Sequence, residues 1–241
     1  MEKSQYITLL SEAFEQNDIA SLLTDEAKEK LYNFSNILIE TNKITNLTAI
    51  TEEKDVILKH FVDCASISEY ISQGSNVIDV GCGAGFPSVP LAIIRPDLNI
   101  TALDSTGKKI DFVKNAANQL KLNNLTAICA RAEEFVVDNR EKFDVSTSRA
   151  VARLNVLAEI SLPLVKAGGS FIAMKSSKGA EEYAEAENGI KKLGATLESF
   201  HEKAFAFDEN EINREFYIFS KTRATPKEFP RKYAQILKKP L

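Results

Sequence analysis

The chain is expected to fold as an α/β protein, with a doubly wound, mostly parallel sheet behind an N-terminal helical extension. Three observations predict this. From residue 76 onward, short apolar runs alternate with helix-length amphipathic stretches, the pattern of parallel strands joined by right-handed crossovers. The first of those runs leads straight into a cluster of three glycines. The stretch before it carries apolar residues at spacings of three and four, the period of helices. The division that follows is a helical extension over 1–72, an α/β domain over 73–221 and a basic tail over 222–241.

Each element has its own warrant. Thr24-Asp25-Glu26 supplies a helix cap followed by acids in a first turn, where the helix dipole favours them. Ala27, Leu31, Phe34 and Leu38 then form one apolar stripe, which breaks at Asn42–Thr48. Further helices are expected from Glu52 to about Lys59 and from Phe61 to Ile71. Val77-Ile78-Asp79-Val80, Ile100–Leu103, Thr126–Cys129, Phe143–Ser146 and Ser170–Met174 read as strands. Between them, Val89–Ile94, the face Ile110, Val113, Ala117 and Leu120, and Leu154–Leu162 read as helices. Glu215–Phe219 is apolar on both faces, as a buried final strand would be.

Composition narrows the function classes. The 241 residues are 44% hydrophobic and 27% charged, ordinary values for a globular protein. No apolar run approaches the roughly 18 residues of a membrane span, and Met1–Gln5 has no apolar core of a secretory leader. Cys64, Cys82 and Cys129 are too few and too scattered for a disulfide framework or a zinc ribbon. A cytoplasmic protein, without membrane association or metal and acting as a monomer, is the expectation. The net charge of −4 argues against a general nucleic-acid binder but hides an asymmetry. Between Lys221 and Lys239 seven basic residues face Glu228 alone, a net +6, which leaves −10 on the rest.

The strongest local signal is Val80-Gly81-Cys82-Gly83-Ala84-Gly85-Phe86-Pro87. Glycine is needed where a backbone turns sharply or approaches a ligand closely, and open α/β sheets bind ligands at the carboxyl ends of their strands. The dinucleotide fingerprint G-x-G-x-x-G fails here, because Phe86 holds the third glycine position, and no phosphate-binding Gly-Lys-Ser/Thr follows. A nicotinamide-dependent oxidoreductase is therefore the weakest reading. The G-x-G-x-G that remains (Gly81, Gly83, Gly85) resembles the first motif of class I S-adenosylmethionine methyltransferases, a Rossmann-like fold on a mostly parallel seven-stranded sheet. Asp104 ends the second strand 19 residues after Gly85. A carboxylate there can accept from both ribose hydroxyls of the cofactor, although Asp104-Ser105-Thr106 would also cap the next helix. After the third strand, Ala132 and Glu133 hold the register that lies beside adenine in that class.

The residue pattern also limits the methyl acceptor. Asp144–Ala150 lacks the Asp/Asn-Pro-Pro-aromatic run of exocyclic-amine methylation. No cysteine has the Pro-Cys setting of pyrimidine C5 chemistry, which needs a thiolate nucleophile. Guanine N7 carries its own lone pair and needs alignment rather than a base. His60 and His201 are the only histidines, and His60 with Asp63 reads as a structural pair on a helix.

Taken together, Asn46-Leu47-Thr48, Lys59–Asp63, Asp79–Pro87, Leu103-Asp104-Ser105, Arg131–Phe135, Ser148-Arg149-Ala150 and Met174-Lys175 resemble the bacterial ribosomal small-subunit RNA methyltransferase G family, also called glucose-inhibited division protein B. The resemblance runs from about Asp25 to Lys232. It implies S-adenosylmethionine-dependent methylation of N7 of one guanine in 16S ribosomal RNA, with that RNA or the small subunit as partner. It implies a cofactor pocket at Gly81, Phe86, Ala132, Glu133 and Arg149, and roles in catalysis or RNA contact for Asn46, Arg131, Arg149 and Arg214. Lys108, Lys109, Arg153 and Lys175, with Lys227, Arg231 and Lys232 of the tail, are candidate RNA contacts on charge. After Lys232 the family usually continues Pro-Gly-Thr-Pro, where this chain has Tyr233-Ala234-Gln235-Ile236. The competing readings are a small-molecule methyltransferase on the same fold, with an idle tail, and a non-enzymatic RNA binder with a dead cofactor loop.

Overall fold

A computed structural model describes residues 1–149, 151–176 and 178–241. Ala150, the last residue of one family mark, lies outside the described residues.

Helices α1 (Lys3–Gln16) and α2 (Asp25–Thr45) open the chain. Thr24 caps α2 by accepting from Ala27 N at 3.1 Å, and the stripe Ala27, Leu31, Phe34, Leu38 is buried. The two helices expected between 52 and 71 form instead one continuous run: α3 (Glu53–Val56), a π-helical segment (Ile57–Val62) and α4 (Asp63–Ala65). The wide π turn carries no residue-type signature that periodicity at three and four detects.

Among the described residues seven strands follow: β1 (Asn76–Val80), β2 (Asn99–Asp104), β3 (Leu125–Cys129), β4 (Phe143–Arg149), β5 (Val165–Lys175), β6 (Ala195–Phe207) and β7 (Asn210–Lys221). They lie in the order β3-β2-β1-β4-β5-β7-β6. Strands β1 to β5 are parallel, and β7 runs antiparallel to both β5 and β6. The crossovers are α5 (Ser88–Ile94), α6 (Gly107–Gln119), α7 (Ala132–Asn139) and α8 (Leu154–Ser161), with α9 (Gly179–Lys192) before β6 and α10 (Tyr233–Lys238) in the tail.

Two cores sandwich the sheet. On one side the N-terminal helices share a continuous core with α5 and α6. There Phe34 of α2 meets Phe61, Phe86 and Phe112 at ring distances of 6.0, 5.5 and 6.2 Å, so the helical extension rests directly on the glycine turn. The second core is built by α8, α9 and the far sheet face, and it includes Phe229 and Ile236 of the tail. The final strand is buried on both faces at Phe216–Phe219, as expected, because Phe216 and Ile218 join one core while Tyr217 and Phe219 join the other. Lys221, counted above with the basic tail, is a buried end of β7: its ammonium donates to Leu162 O at 2.7 Å and Val165 O at 2.8 Å.

Candidate active site

Strand order reverses between β1 and β4, so their carboxyl ends diverge and leave a crevice. The glycine turn lines it. Gly81 N and Cys82 N both donate to Leu103 O, at 2.7 and 3.0 Å, folding the turn against the end of β2. Gly81 (φ +78°) and Gly85 (φ +87°) are in the left-handed region, and a Cβ on either would come within 2.5 Å of Val151 or Val89. Gly83 (φ +57°) differs, since a Cβ there would meet nothing within 4 Å. The first and last glycines let the chain pack; the middle one keeps the crevice floor bare.

Asp104 ties the end of β2 to the two segments beside it. Its Oδ1 accepts from Thr106 N at 2.8 Å at the start of α6, and its Oδ2 accepts from Gly83 N at 3.0 Å. The carboxylate also lines the crevice, with Lys109 Nζ 3.9 Å from Oδ2. Beneath the turn, Asp79 is fully buried, with one oxygen accepting from Ser88 N at 3.1 Å and the other without a partner among the described residues. Burial pushes its carboxyl up to about 7, against the Ser88 hydrogen bonds and the Arg149 charge.

Across the crevice stands a cluster built from distant segments. Arg149, at the end of β4, donates through Nη1 to Lys59 O and Asp63 Oδ2, both at 2.9 Å, and through Nη2 to His60 Nδ1 at 2.9 Å. A guanidinium only donates, so Nδ1 accepts and the imidazole proton sits on Nε2, aimed at Thr48 Oγ1 3.2 Å away. Burial and the Arg149 charge hold His60 well below the usual histidine range, consistent with a neutral ring. That ring stacks on Phe86 at 4.0 Å, and the Arg149 guanidinium lies 5.1 Å from the same Phe86 ring. Asp63, wholly buried, also accepts from Arg214 Nε at 3.0 Å. His60 and Asp63 thus meet through Arg149 rather than through each other, which replaces the structural pair expected from their spacing. One carboxylate serves two guanidiniums, leaving a net positive wall.

The resulting cleft of about 930 Å³ is lined by Gly81, Gly83, Phe86, Asp104, Lys109, Arg149, Arg153, Lys175 and Arg214, and also by Leu47, Thr48 and His60. A side pocket of about 240 Å³ continues from Gly81 and Asp104 to Arg131, Ala132, Glu133 and Tyr233. The remaining expected residues fall elsewhere. Gly85 lies inside the turn. Asn46 is exposed at the end of α2 in the left-handed conformation (φ +47°), beside the lining pair Leu47 and Thr48. Asn42 holds that pair, accepting through Oδ1 from Leu47 N at 2.6 Å and Thr48 N at 2.9 Å. Lys108, Lys227 and Lys232 are exposed. Lys175, expected as an RNA contact, is largely buried, with its ammonium on Ala152 O at 2.8 Å and Glu182 at 2.6 Å. Arg231 is likewise engaged, by Glu159 at 2.5 Å. Thr48 and His60, read from sequence as family marks without a site role, and Val151 and Tyr233, which periodicity and motif spacing do not single out, are also lining residues. Among the described residues no group of three His, Cys, Asp or Glu is arranged to hold a metal ion, and no helix is long and apolar enough to cross a membrane.

Comparison with known proteins bears on the family and the fold. A family profile described as rRNA small subunit methyltransferase G matches residues 27–212. The chain is 44% identical over 237 residues to the ribosomal RNA small subunit methyltransferase G of Staphylococcus carnosus (strain TM300), covering 96% of this chain and 97% of that relative. It is 44% identical over 235 residues to the protein of the same name in Staphylococcus aureus (strain Newman), with 96% and 97% covered. In fold it is similar to TYW2 of M. jannaschii, solved in complex with AdoMet (TM-score 0.52, 14% identity, 66% of this chain and 74% of that one). It is also similar to precorrin-6y C5,15-methyltransferase of Geobacter metallireducens GS-15 (TM-score 0.52, 16% identity, 74% and 92%).

Proposed function

Because the chain belongs to the rRNA small subunit methyltransferase G family, we propose that it moves a methyl group from S-adenosylmethionine to N7 of one guanine in 16S ribosomal RNA. The observation that carries this reading is the glycine turn at the β1/β4 crevice, with a bare Gly83 and an Asp104 carboxylate directed to the same space. These residues fit the cofactor. Asp104 has lone pairs for a ribose diol, Ala132 and Glu133 line the side pocket where the base belongs, and Gly83 leaves room for the chain between. Bound there, S-adenosylmethionine supplies an electrophilic methyl on a sulfonium.

The protein's part is alignment. Guanine N7 needs no base, and the two groups beside Arg149 are already engaged: His60 is held by Arg149 and Thr48, and Asp63 is covered by two arginines. Phe86, His60 and Arg149 form a layered wall against which a flat base can be held in line with the methyl group. Arg149 and Arg214, only half neutralised by Asp63, favour an anionic strand at the mouth, and exposed Arg153 adds to them, since its surface pair with Glu185 is weak. Asn46, next to the lining pair Leu47 and Thr48, and Arg131, on the side pocket, are assigned to RNA contact.

The test is transfer of labelled methyl groups from S-adenosylmethionine to small ribosomal subunits, then mapping by strand cleavage at N7-methylguanine. One modified guanine in 16S RNA is expected; label on a pyrimidine, on protein or on a metabolite without RNA present would reject the reading. Arg149→Ala is expected to lower kcat at least about tenfold by releasing that wall.

A further inference from the structure

The tail carries more than charge. Tyr233, the first residue of α10, lines the side pocket together with Gly81, Asp104, Ala132 and Glu133. The segment that presents it is not a loose extension. Phe229 and Ile236 are buried in the core formed by α8 and α9. Arg140 donates to Thr225 O at 3.3 Å and to Phe229 O. On α8, Glu159 is wholly buried. Its Oε1 accepts from Arg231 N at 2.9 Å and Arg231 Nε at 2.8 Å, and its Oε2 accepts from Nη2 at 2.5 Å. A buried carboxylate costs much unless paired, and every side-chain partner found for Glu159 among the described residues comes from the tail. Two residues after that lock, Tyr233 lines the pocket.

Resting on the cofactor site argued above, we propose that Tyr233 is a cofactor-binding residue: the tail, clamped by Glu159–Arg231, forms the outer wall of the adenine end of the pocket. Arg231, read from sequence as an RNA contact, is thereby assigned to holding that wall. An aromatic ring at the mouth of a pocket for a purine gives a stacking surface and keeps water from the base. Cofactor and tail are then linked: occupancy of the pocket steadies the tail, and a docked tail tightens the pocket.

Isothermal titration of the full chain with S-adenosylmethionine, S-adenosylhomocysteine and adenosine tests this. Tyr233→Ala is expected to weaken all three by one common factor, about five- to tenfold, since all three share the base. Tyr233→Phe is expected to stay within about twofold of wild type, because the ring is what counts. Equal affinities in Tyr233→Ala and wild type, or a loss for S-adenosylmethionine without one for adenosine, overturn the proposal. Wild type that binds none of the three overturns the underlying cofactor reading itself. A second measurement needs no substitution: saturating adenosine should slow amide exchange across 229–238, and unchanged exchange there with adenosine bound overturns the tail's role.

Discussion

Gly81 and Gly83 are two residues apart in one turn, and their replacement by alanine separates folding from binding. At Gly81 a methyl group meets Val151 at 2.5 Å in a left-handed backbone, so Gly81→Ala is expected to cost about 2–4 kcal/mol in urea denaturation. At Gly83 the space is open. Gly83→Ala should cost only the left-handed penalty of about 1–2 kcal/mol, yet weaken S-adenosylmethionine in calorimetry because the methyl group enters the crevice. Asp79 gives a pH signature. Its carboxyl, ordinarily at 3.8, is raised to about 7 by burial, so between those values the folded protein holds a proton that the unfolded chain has released. The cost of burying its charge is absent at low pH and greatest above about pH 7. Asp79→Asn keeps an acceptor for Ser88 N and removes the charge. Its stability relative to wild type is therefore expected to rise from pH 5 to pH 8, and urea denaturation at the two pH values checks it. Asp104 and the glycines were legible because their chemistry is local: a turn, a strand end and a helix start within 25 residues of each other. The partners of Arg149 were not, because Lys59 and Asp63 reach it from 90 and 86 residues away.

At the level of elements, what escaped the sequence reading has a common cause. Strand β6 alternates exposed with half-buried or buried positions, but the outward ones include Thr196, Glu198 and Glu202 and the inward ones include Ser199, His201 and Lys203, so the run reads as polar. Helix α9 has few large apolar residues, being rich in Ala, Glu and Gly. The π segment hides because its register departs from the spacing of three and four that marks helices. Helix α2, by contrast, was plain from its cap and stripe, and its role was what remained unseen. Phe34 is fully buried against Phe86 of the glycine turn. Phe34→Ala is expected to destabilise the fold by about 3–5 kcal/mol, measurable in thermal or urea unfolding. Lys221 closes β7 onto the start of β5 in the same way. Lys221→Ala would strip two buried carbonyls, Leu162 O and Val165 O, of their donor, an expected loss of about 2–4 kcal/mol in the same assay.

Over the whole molecule, the charge asymmetry of the sequence survives in altered form. Lys221 is interior and Arg231 is bound to Glu159, so the basic face of the tail is smaller than a count of residues suggests. Exposed Lys108, Lys227 and Lys232 remain free to meet phosphate. Replacing these three by alanine is expected to lower the salt dependence of RNA binding by about two to three in slope, measured by filter binding over a range of ionic strength. Arg231→Ala should instead appear as lost stability, with little change in that slope. The single carboxylate of Asp63, at the start of α4 directly after the π segment, ties that run to Arg149 of β4 and, 151 residues along the chain, to Arg214 of β7. Breathing of the helical N-terminal part therefore cannot stay silent at the crevice. Any excursion that lifts the π segment sets both arginines adrift at once, and the enzyme is disarmed before it is unfolded.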